Sequence, residues 1–566
     1  MSGASNTFFR VFTYMKPVQG KYFAGSALAS CELIILFAIP LVNRMLVEMI
    51  TEGGGHTTVR EILLIMAVLL ALAPLVAIGR YWQSLCSQTT ADSLKKTLFG
   101  HIQRLPLSKL AERQSGDYLM RLNADADRAG HMFQGFAVVS LLRFVVVTSV
   151  TMTLLLLTEW RIAALALVYN LICFGLSLLV NPYVNKLERE ARQEIAASSN
   201  IVLETMRSLP IVRVFMLGHT LGELYRSRCE QIRQKRSKFR AANGVAYGVV
   251  DFFSFSSQAV GFIAAIFLLG RGEMALNEAV YTASLMALAS DAMLRLSTFI
   301  LLIQPSLVSA GRVFEVLDEP GEMLRESTAK LDMQHKNAIE LSNMGFSYPE
   351  SAAVLQGINL TIKRGEKIAL VGGSGGGKTT LAQIIASLYE PTEGSISFFG
   401  AEGSRLSRQD LRKLIAYVPQ ESILFEGSIY DNIQMVKPEL GPDEIKKAAH
   451  SAGLDISLDT QVGERGSLLS GGQRQRVAIA RAIAKAAPII IFDEATSALD
   501  SDTEALVQNN LKSATYTSIT VAHRLSTIKE SDKIYVIEKG NIAEAGSHED
   551  LLKLGGRYAN LAQVGE

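Results

Sequence analysis

Nine consecutive residues concentrate the chemistry of this 566-residue chain: Gly372, Gly373, Ser374, Gly375, Gly376, Gly377, Lys378, Thr379 and Thr380. The apolar run Lys367–Val371 precedes them and Leu381–Ala386 follows, so a strand, a glycine loop and a helix succeed one another. That succession is the setting a P-loop requires. Backbone N–H groups wrap a polyphosphate at a helix N-terminus only where no side chain intervenes, and the helix dipole favours an anion there. Lys378 then reaches the β- and γ-phosphates, and Thr379 offers a hydroxyl to Mg²⁺. A glycine-rich turn alone is a plain loop. The full G-x-x-x-x-G-K-T spacing between strand and helix is what selects nucleotide binding.

Further candidates surround the loop. Tyr348, in Phe346–Tyr348, supplies an aromatic ring that suits stacking on adenine, a weak signal by itself. Ala416–Gln420 follows the P-loop, then Leu469, Ser470, Gly471, Gly472 and Gln473, then the run Ile489–Phe492 ending in Asp493 and Glu494. An apolar run ending in two acids reads as a buried strand that delivers Asp493 to Mg²⁺ and Glu494 to an attacking water. Ser497–Asp500 and a histidine, His523, close the series. Each piece alone is compatible with coincidence; the ordered set is not.

These residues all lie in one half of the chain. With 566 residues at least two domains are expected. The 49% hydrophobic content is unevenly spread: long apolar runs stop near residue 310, and an α/β pattern punctuated by Gly and Pro follows about residue 320. A net charge of +2 gives no ground for a nucleic-acid partner. Cys31, Cys86, Cys173 and Cys229 lack metal-ligand spacing and read as small, buried, unpaired hydrophobes.

Six stretches have the roughly 20 mostly apolar residues a bilayer crossing needs: about 22–47, 60–84, 134–158, 161–182, 244–270 and 278–304. The links 85–133 and 183–243 are long and rich in Lys and Arg, which places them and both termini in the cytoplasm. Their apolar periodicity makes them helices that continue beyond the bilayer. Turn signals at Gln114–Asp117 and Ser208–Pro210 mark their tips, read either as ordinary loops or as short helices offered to the soluble half. Residues 1–20 suit an amphipathic helix on the membrane surface or a frayed terminus. Leu28–Cys31 has the look of a lipoprotein cleavage box, but the strong apolar run follows Cys31, so an uncleaved first span is expected.

Charges within the spans need partners: Glu32, Arg44 and Glu48 in the first, Arg143 in the third, Asp251 in the fifth, Asp291 and Arg295 in the sixth. The four-residue spacing of Arg44/Glu48 and Asp291/Arg295 puts each pair on one helical face. Two readings stand for these groups, structural neutralisation and a polar site for cargo.

On these motifs the sequence resembles ABC half-transporters of the exporter type, with six transmembrane helices fused to one nucleotide-binding domain, as in bacterial lipid flippases and multidrug exporters. The resemblance spans nearly the whole chain, and Leu469–Gln473 is its most specific mark. It implies an α-helical transmembrane domain with long cytoplasmic extensions (1–318), a linker (319–337) and an α/β P-loop ABC nucleotide-binding domain (338–566). It implies ATP and Mg²⁺ as cofactors, with Lys378 and the P-loop glycines on the phosphates and Thr379, Gln420 and Asp493 around the metal. Tyr348 resembles the adenine-stacking aromatic, Gln420 the γ-phosphate-sensing glutamine, Glu494 the general base and His523 the switch histidine. Ser470, Gly471, Gly472 and Gln473 would close on the ATP held by a partner subunit, so a dimer, expected to be a homodimer, sandwiches two nucleotides head to tail. Gly463–Gly466 matches the segment that touches the coupling helices.

Gly441–Gln461 is several residues shorter than in most relatives, which alters the docking face of the helical subdomain, and no peptidase domain is expected before the first helix. The resemblance implies ATP-driven export of an amphipathic lipid, drug or peptide from a bacterial inner membrane. An importer on the same fold and one half of a heterodimer share every motif.

Overall fold

The computed structural model describes residues 2–51, 56–133, 137–322, 326–349, 352–495, 506–507, 510, 516–522 and 524–564. The chain divides into two compact units. One comprises Met1–His101 and Gly116–Asp318, the other Ile102–Ser115 and Glu319–Glu566.

The first unit is helical. Its longest helices are His56–Ile102, Trp160–Arg207, Gly218–Gly270 and Leu276–Leu317. At 1.5 Å per residue the 47- to 53-residue members reach roughly 70–80 Å, far beyond a hydrocarbon core of about 30 Å. Among the described residues, Lys16–Thr51, Val59–Ile102 and Gly218–Gly270 are long and apolar enough to cross a membrane, with shorter apolar helices at Arg143–Thr158 and Trp160–Leu176. The sixth apolar stretch lies within Leu276–Leu317. The first stretch is not one straight helix: Gln19–Ser30 ends at a turn on Cys31, and Glu32–Thr51 begins directly after it.

Small residues set the closest approaches in this unit. A Cβ on Gly79 would stand 2.5 Å from the Ala29 amide nitrogen and 2.6 Å from the Gly25 carbonyl oxygen, so these two helices touch backbone to backbone. Residues 2–14 form a helix that buries Val11 near a floor of aromatic rings, with Phe8 and Phe12 at 5.3 and 5.9 Å from Phe133. Arg10 lies 3.9 Å over the Phe314 ring and donates to both carboxylate oxygens of Asp318. None of the four cysteines forms a disulfide; Cys86 is fully buried, whereas Cys31, Cys173 and Cys229 are half-buried and not enclosed as expected.

The second unit contains two sheets. An antiparallel sheet runs β2-β1-β4-β5, where β1 is Asn337–Ser347, β2 Ala353–Lys363, β4 Glu393–Phe398 and β5 Ala401–Glu402. The other runs β10-β9-β3-β8-β7-β6, where β3 is Lys367–Val371, β6 Ile415–Val418, β7 Ile489–Asp493, β8 Thr517–Val521, β9 Lys533–Glu538 and β10 Asn541–Gly546. Its five neighbours from β9 to β6 are parallel, and β10 closes one edge antiparallel. Parallel strands covered on both faces read as continuous apolar runs, as β7 does with all five residues buried. Ligands of such sheets collect at the carboxyl ends of the strands, where β3 meets the P-loop and β7 ends in Asp493.

The segment Ile102–Ser115 belongs to this second unit. The Glu322 amide donates to the Arg104 carbonyl at 2.6 Å, and Arg113 pairs with Glu319 at 2.7 Å. This segment carries a short helix, Leu107–Glu112, just before the expected tip at Gln114–Asp117, where the helix Ser115–Met120 begins; the other expected tip opens the helix Leu209–Val214. Beyond that second helix Phe215 and Met216 are strongly exposed, and Met216 has a positive φ of 52°.

Candidate functional site

β3 hands the chain to the glycine loop, and two glycines there are sterically required. A Cβ on Gly372 (φ +152°) would stand 2.1 Å from the Ile537 carbonyl oxygen, and one on Gly377 (φ +101°) 2.7 Å from Leu355 Cδ2. Gly377 in its left-handed conformation caps the helix Lys378–Ile385 without a side chain, leaving the first helical N–H groups facing the loop. Lys378 is 5% exposed and donates to the Gly372 and Gly373 carbonyls at 2.8 and 3.0 Å. Burial pushes its pKa down, while Glu494 and Asp493 act in the opposite direction.

The next two residues of the motif point to different partners. Thr379 Oγ1 donates to Asp493 Oδ1 at 3.2 Å. The Thr380 hydroxyl lies 3.2 Å from the Tyr348 hydroxyl, and this anchors the ring expected to meet adenine. Tyr348 is further held edge-on by Phe346 and Tyr389, at 4.9 and 5.4 Å between ring centroids. Beside it opens a groove of about 680 Å³, lined by Tyr348, Tyr389, Phe346 and Arg408 and, from the Ile102–Ser115 segment, by Pro106 and Ser108.

At the end of β7 the two acids separate in role. Asp493 is 1% exposed, and burial raises its pKa against the hydrogen bonds from Tyr417 and Thr379. Glu494 turns out of the strand with φ 52°, its amide bonded to the Val521 carbonyl at 3.1 Å. Its carboxylate accepts from Gln420 Nε2 at 2.8 Å, and Gln475 Nε2 donates to its carbonyl at 3.2 Å. A hydroxyl beside a buried carboxylate, open to phosphate oxygens and water, suits a hard divalent cation of the Mg²⁺ type.

Ser470 caps the helix Gly471–Lys485. Its hydroxyl accepts from the Gln473 amide at 3.2 Å while Gln473 Oε1 accepts from the Ser470 amide at 2.9 Å, a reciprocal box that leaves Ser470 and Gly471 exposed. Gly463–Gly466 forms a tight turn in which Arg465 has φ 52°. His523 and Ser497–Asp500 lie outside the described residues.

The structure thus brings Lys378, Thr379, Asp493, Glu494 and Gln420 together at the P-loop, with Tyr348 tied to the same helix through Thr380. Sequence reasoning missed Tyr417, Gln475 and Tyr389. The only signal for Tyr417 was its place in the run Ala416–Gln420.

A second polar cluster sits in the helical unit. Glu32 accepts from Arg143 at 2.9 Å and from Arg80 at 2.7 Å, and Arg143 Nη2 also lies 3.7 Å from Asp291. Asp291, expected to pair along its own helix with Arg295, therefore has a cross-helix partner, because helix packing brings Arg143 to it; the Arg295 side chain lies outside the described residues. The expected Arg44/Glu48 pair forms at 3.2 Å, and Glu48 also accepts from Asn277 at 2.6 Å.

Comparison with known proteins gives the class that this fold and site define. The ABC transporter transmembrane region matches residues 23–293 and the ABC transporter domain matches residues 355–497. The chain belongs to the ABC transporter family, as a multi-pass membrane protein with a transporter ATPase domain. It is 33% identical to an ATP-dependent lipid A-core flippase of Chromobacterium violaceum, over 86% of this chain and 84% of the relative. It is 35% identical to a protein of the same description from Desulfotalea psychrophila, over 83% and 84%. A solved bacterial Atm1-family ABC exporter with ATP bound shares the fold with a TM-score of 0.85 at 23% identity, covering 97% of this chain and 98% of that one.

Proposed function

We propose that two copies of this chain form an ATP-driven exporter that moves an amphipathic substrate, a lipid in the first instance, across a bacterial inner membrane. The observation that carries this reading is the grouping of Thr379 on Asp493 and Gln420 on Glu494 around a P-loop built to receive phosphates. The descriptions of the curated relatives as lipid A-core flippases support a lipid cargo.

In this reading Lys378 exchanges its two loop carbonyls for phosphate oxygens, and Tyr348 stacks on adenine. Thr379, Asp493 and Gln420 hold Mg²⁺, which when bound neutralises phosphate charge. Glu494 takes the proton from the attacking water, and His523 contacts the γ-phosphate. Ser470, Gly471, Gly472 and Gln473, displayed on their capped turn, close on the partner copy's nucleotide, so nucleotide binding is closure of the dimer. Residues 1–318 act as the membrane domain, 319–337 as linker and 338–566 as the cassette. The tips near Gly116 and Pro210 pass closure to the helices, exchanging inward and outward access. The cluster of Glu32, Arg143 and Asp291 supports a polar head-group site among the spans.

The test is a ligand-stimulated ATPase screen on purified, lipid-reconstituted protein, paired with transport in inverted and right-side-out vesicles. Export predicts ATP-dependent accumulation in inverted vesicles. Accumulation only in right-side-out vesicles would make the chain an importer, and a chain that is monomeric and inactive alone in nanodiscs would make it half of a heteromer.

A further inference from the structure

Tyr417 sits inside the nucleotide site, yet no motif gives it a task. It lies on β6 opposite Ile491 of β7, and Asp493 is two residues further along β7, on the same face of the sheet. Side chains in strands lean along the strand direction, which lets the phenol reach past the strand end. Its hydroxyl donates to Asp493 Oδ2 at 2.8 Å, while Thr379 takes Oδ1 at 3.2 Å. Gln383, on the P-loop helix, bonds the same hydroxyl.

Two donors on opposite oxygens fix both the plane and the tilt of a carboxylate. We propose that Tyr417 is a positioning residue for the divalent cation of this site: it occupies Asp493 Oδ2 and turns Oδ1 toward the Thr379 hydroxyl, where the cation is held. The proposal rests on the reading of the P-loop site as a nucleotide and Mg²⁺ site. Tyr417 touches neither nucleotide nor metal. It acts by removing the freedom of the one buried carboxylate that must meet the metal in a single orientation. Partners that orient a ligating group typically change metal affinity by about ten-fold or more when removed.

The experiment uses the full-length protein and Tyr417→Phe, which keeps the ring and deletes only the donor. Binding of a fluorescent ATP analogue is measured in EDTA, and Mn²⁺ binding in the presence of a non-hydrolysable ATP analogue is followed by electron paramagnetic resonance. The expected result is unchanged metal-free nucleotide binding with Mn²⁺ affinity weakened about ten-fold. The Mg²⁺ concentration for half-maximal ATPase should rise in parallel, with turnover at saturating Mg²⁺ largely retained. Mn²⁺ affinity equal to wild type overturns the role of Tyr417 alone. Equal weakening of metal-free and metal-bound nucleotide, together with a lowered melting temperature, also overturns it, marking a packing residue. Wild-type protein that binds no nucleotide in EDTA or with Mn²⁺ overturns the site reading and the proposal together.

Discussion

Gln420 donates its side-chain amide to the carboxylate of Glu494 across 2.8 Å, joining the loop after β6 to the residue after β7. The bond directs the Glu494 carboxylate, which suits the proposed role of general base. Glu494→Gln preserves the shape of the site and removes the proton acceptor. Turnover should fall on the order of a thousandfold while ATP binding persists, and the ATP-bound closed dimer should accumulate. Trapped nucleotide after gel filtration checks this; near-normal phosphate release would remove Glu494 from the role of base.

In the helical unit Arg143 serves two acids from different helices, Glu32 and Asp291. Arg143→Ala removes one donor from each acid at a half-buried site, leaving Glu32 with Arg80, and should destabilise the protein by about 2 kcal/mol. The double variant Glu32→Gln with Arg143→Gln removes one charge of each sign and should recover much of that loss. Thermal unfolding in detergent reads the comparison. A double variant as unstable as Arg143→Ala would mean that shape, and not charge balance, sets stability here. Ligand-stimulated ATPase lost in the stable double variant would point to cargo at this cluster.

Gly79 lies where two helix backbones meet, and its missing side chain is structural. Gly79→Ala should push the helix Gln19–Ser30 away and cost about 2 kcal/mol, because the neighbours within 3 Å include backbone atoms that cannot rotate aside. Gly100, which has open space around it, is the control: Gly100→Ala should be neutral or slightly stabilising within its helix. Similar melting temperatures for the two variants would show that the helices separate at no cost.

Asp410 fastens the stretch around Ser327 and Thr328 within the second unit. It accepts from Ser327 at 2.5 Å and from Ser407 at 2.8 Å, and the Thr328 amide reaches the Arg405 carbonyl at 2.9 Å nearby. The hydrogen bond from Ser327, then those from Ser407 and Lys413, hold the Asp410 pKa near 2, below its ordinary 3.8. A depressed folded-state pKa gives stability that is complete above pH 3.8 and lost as pH falls through about 2. The protection of the Thr328 amide, relative to its intrinsic exchange rate at each pH, should fall across that interval, and Asp410→Asn should abolish that fall. Protection that stays constant through the interval in the wild-type protein would mean that this stretch is held elsewhere.

The P-loop was legible because a phosphate cradle tolerates so few residues that its spacing is written into the sequence. The spans were legible because hydrocarbon imposes length and composition together. Partners set by tertiary packing were not. Arg143 and Glu32 are 111 residues apart, and nothing local announces their bond. The four-residue spacing of Asp291 and Arg295 suggested an intrahelical pair, while nothing in the sequence pointed to Arg143, which helix packing brings to Asp291. Tyr417 looked like any strand aromatic, since only the register of β6 on β7 reveals that it faces Asp493. The turn at Gln114–Asp117 was visible, but membership of Ile102–Ser115 in the second unit depends on bonds to residues more than 200 positions away.

That membership limits how the chain can be cut or recombined. The second unit is assembled from two separate stretches, so its ends are not those of any single fragment. A gene fusion joined at residue 319 would exchange only part of it and leave Glu319 without Arg113 and the Glu322 amide without the Arg104 carbonyl. A chimera between two such transporters therefore inherits a mismatched seam unless the short stretch travels with the long one, and lineages that trade cassettes must trade, or re-adapt, fourteen residues located far upstream.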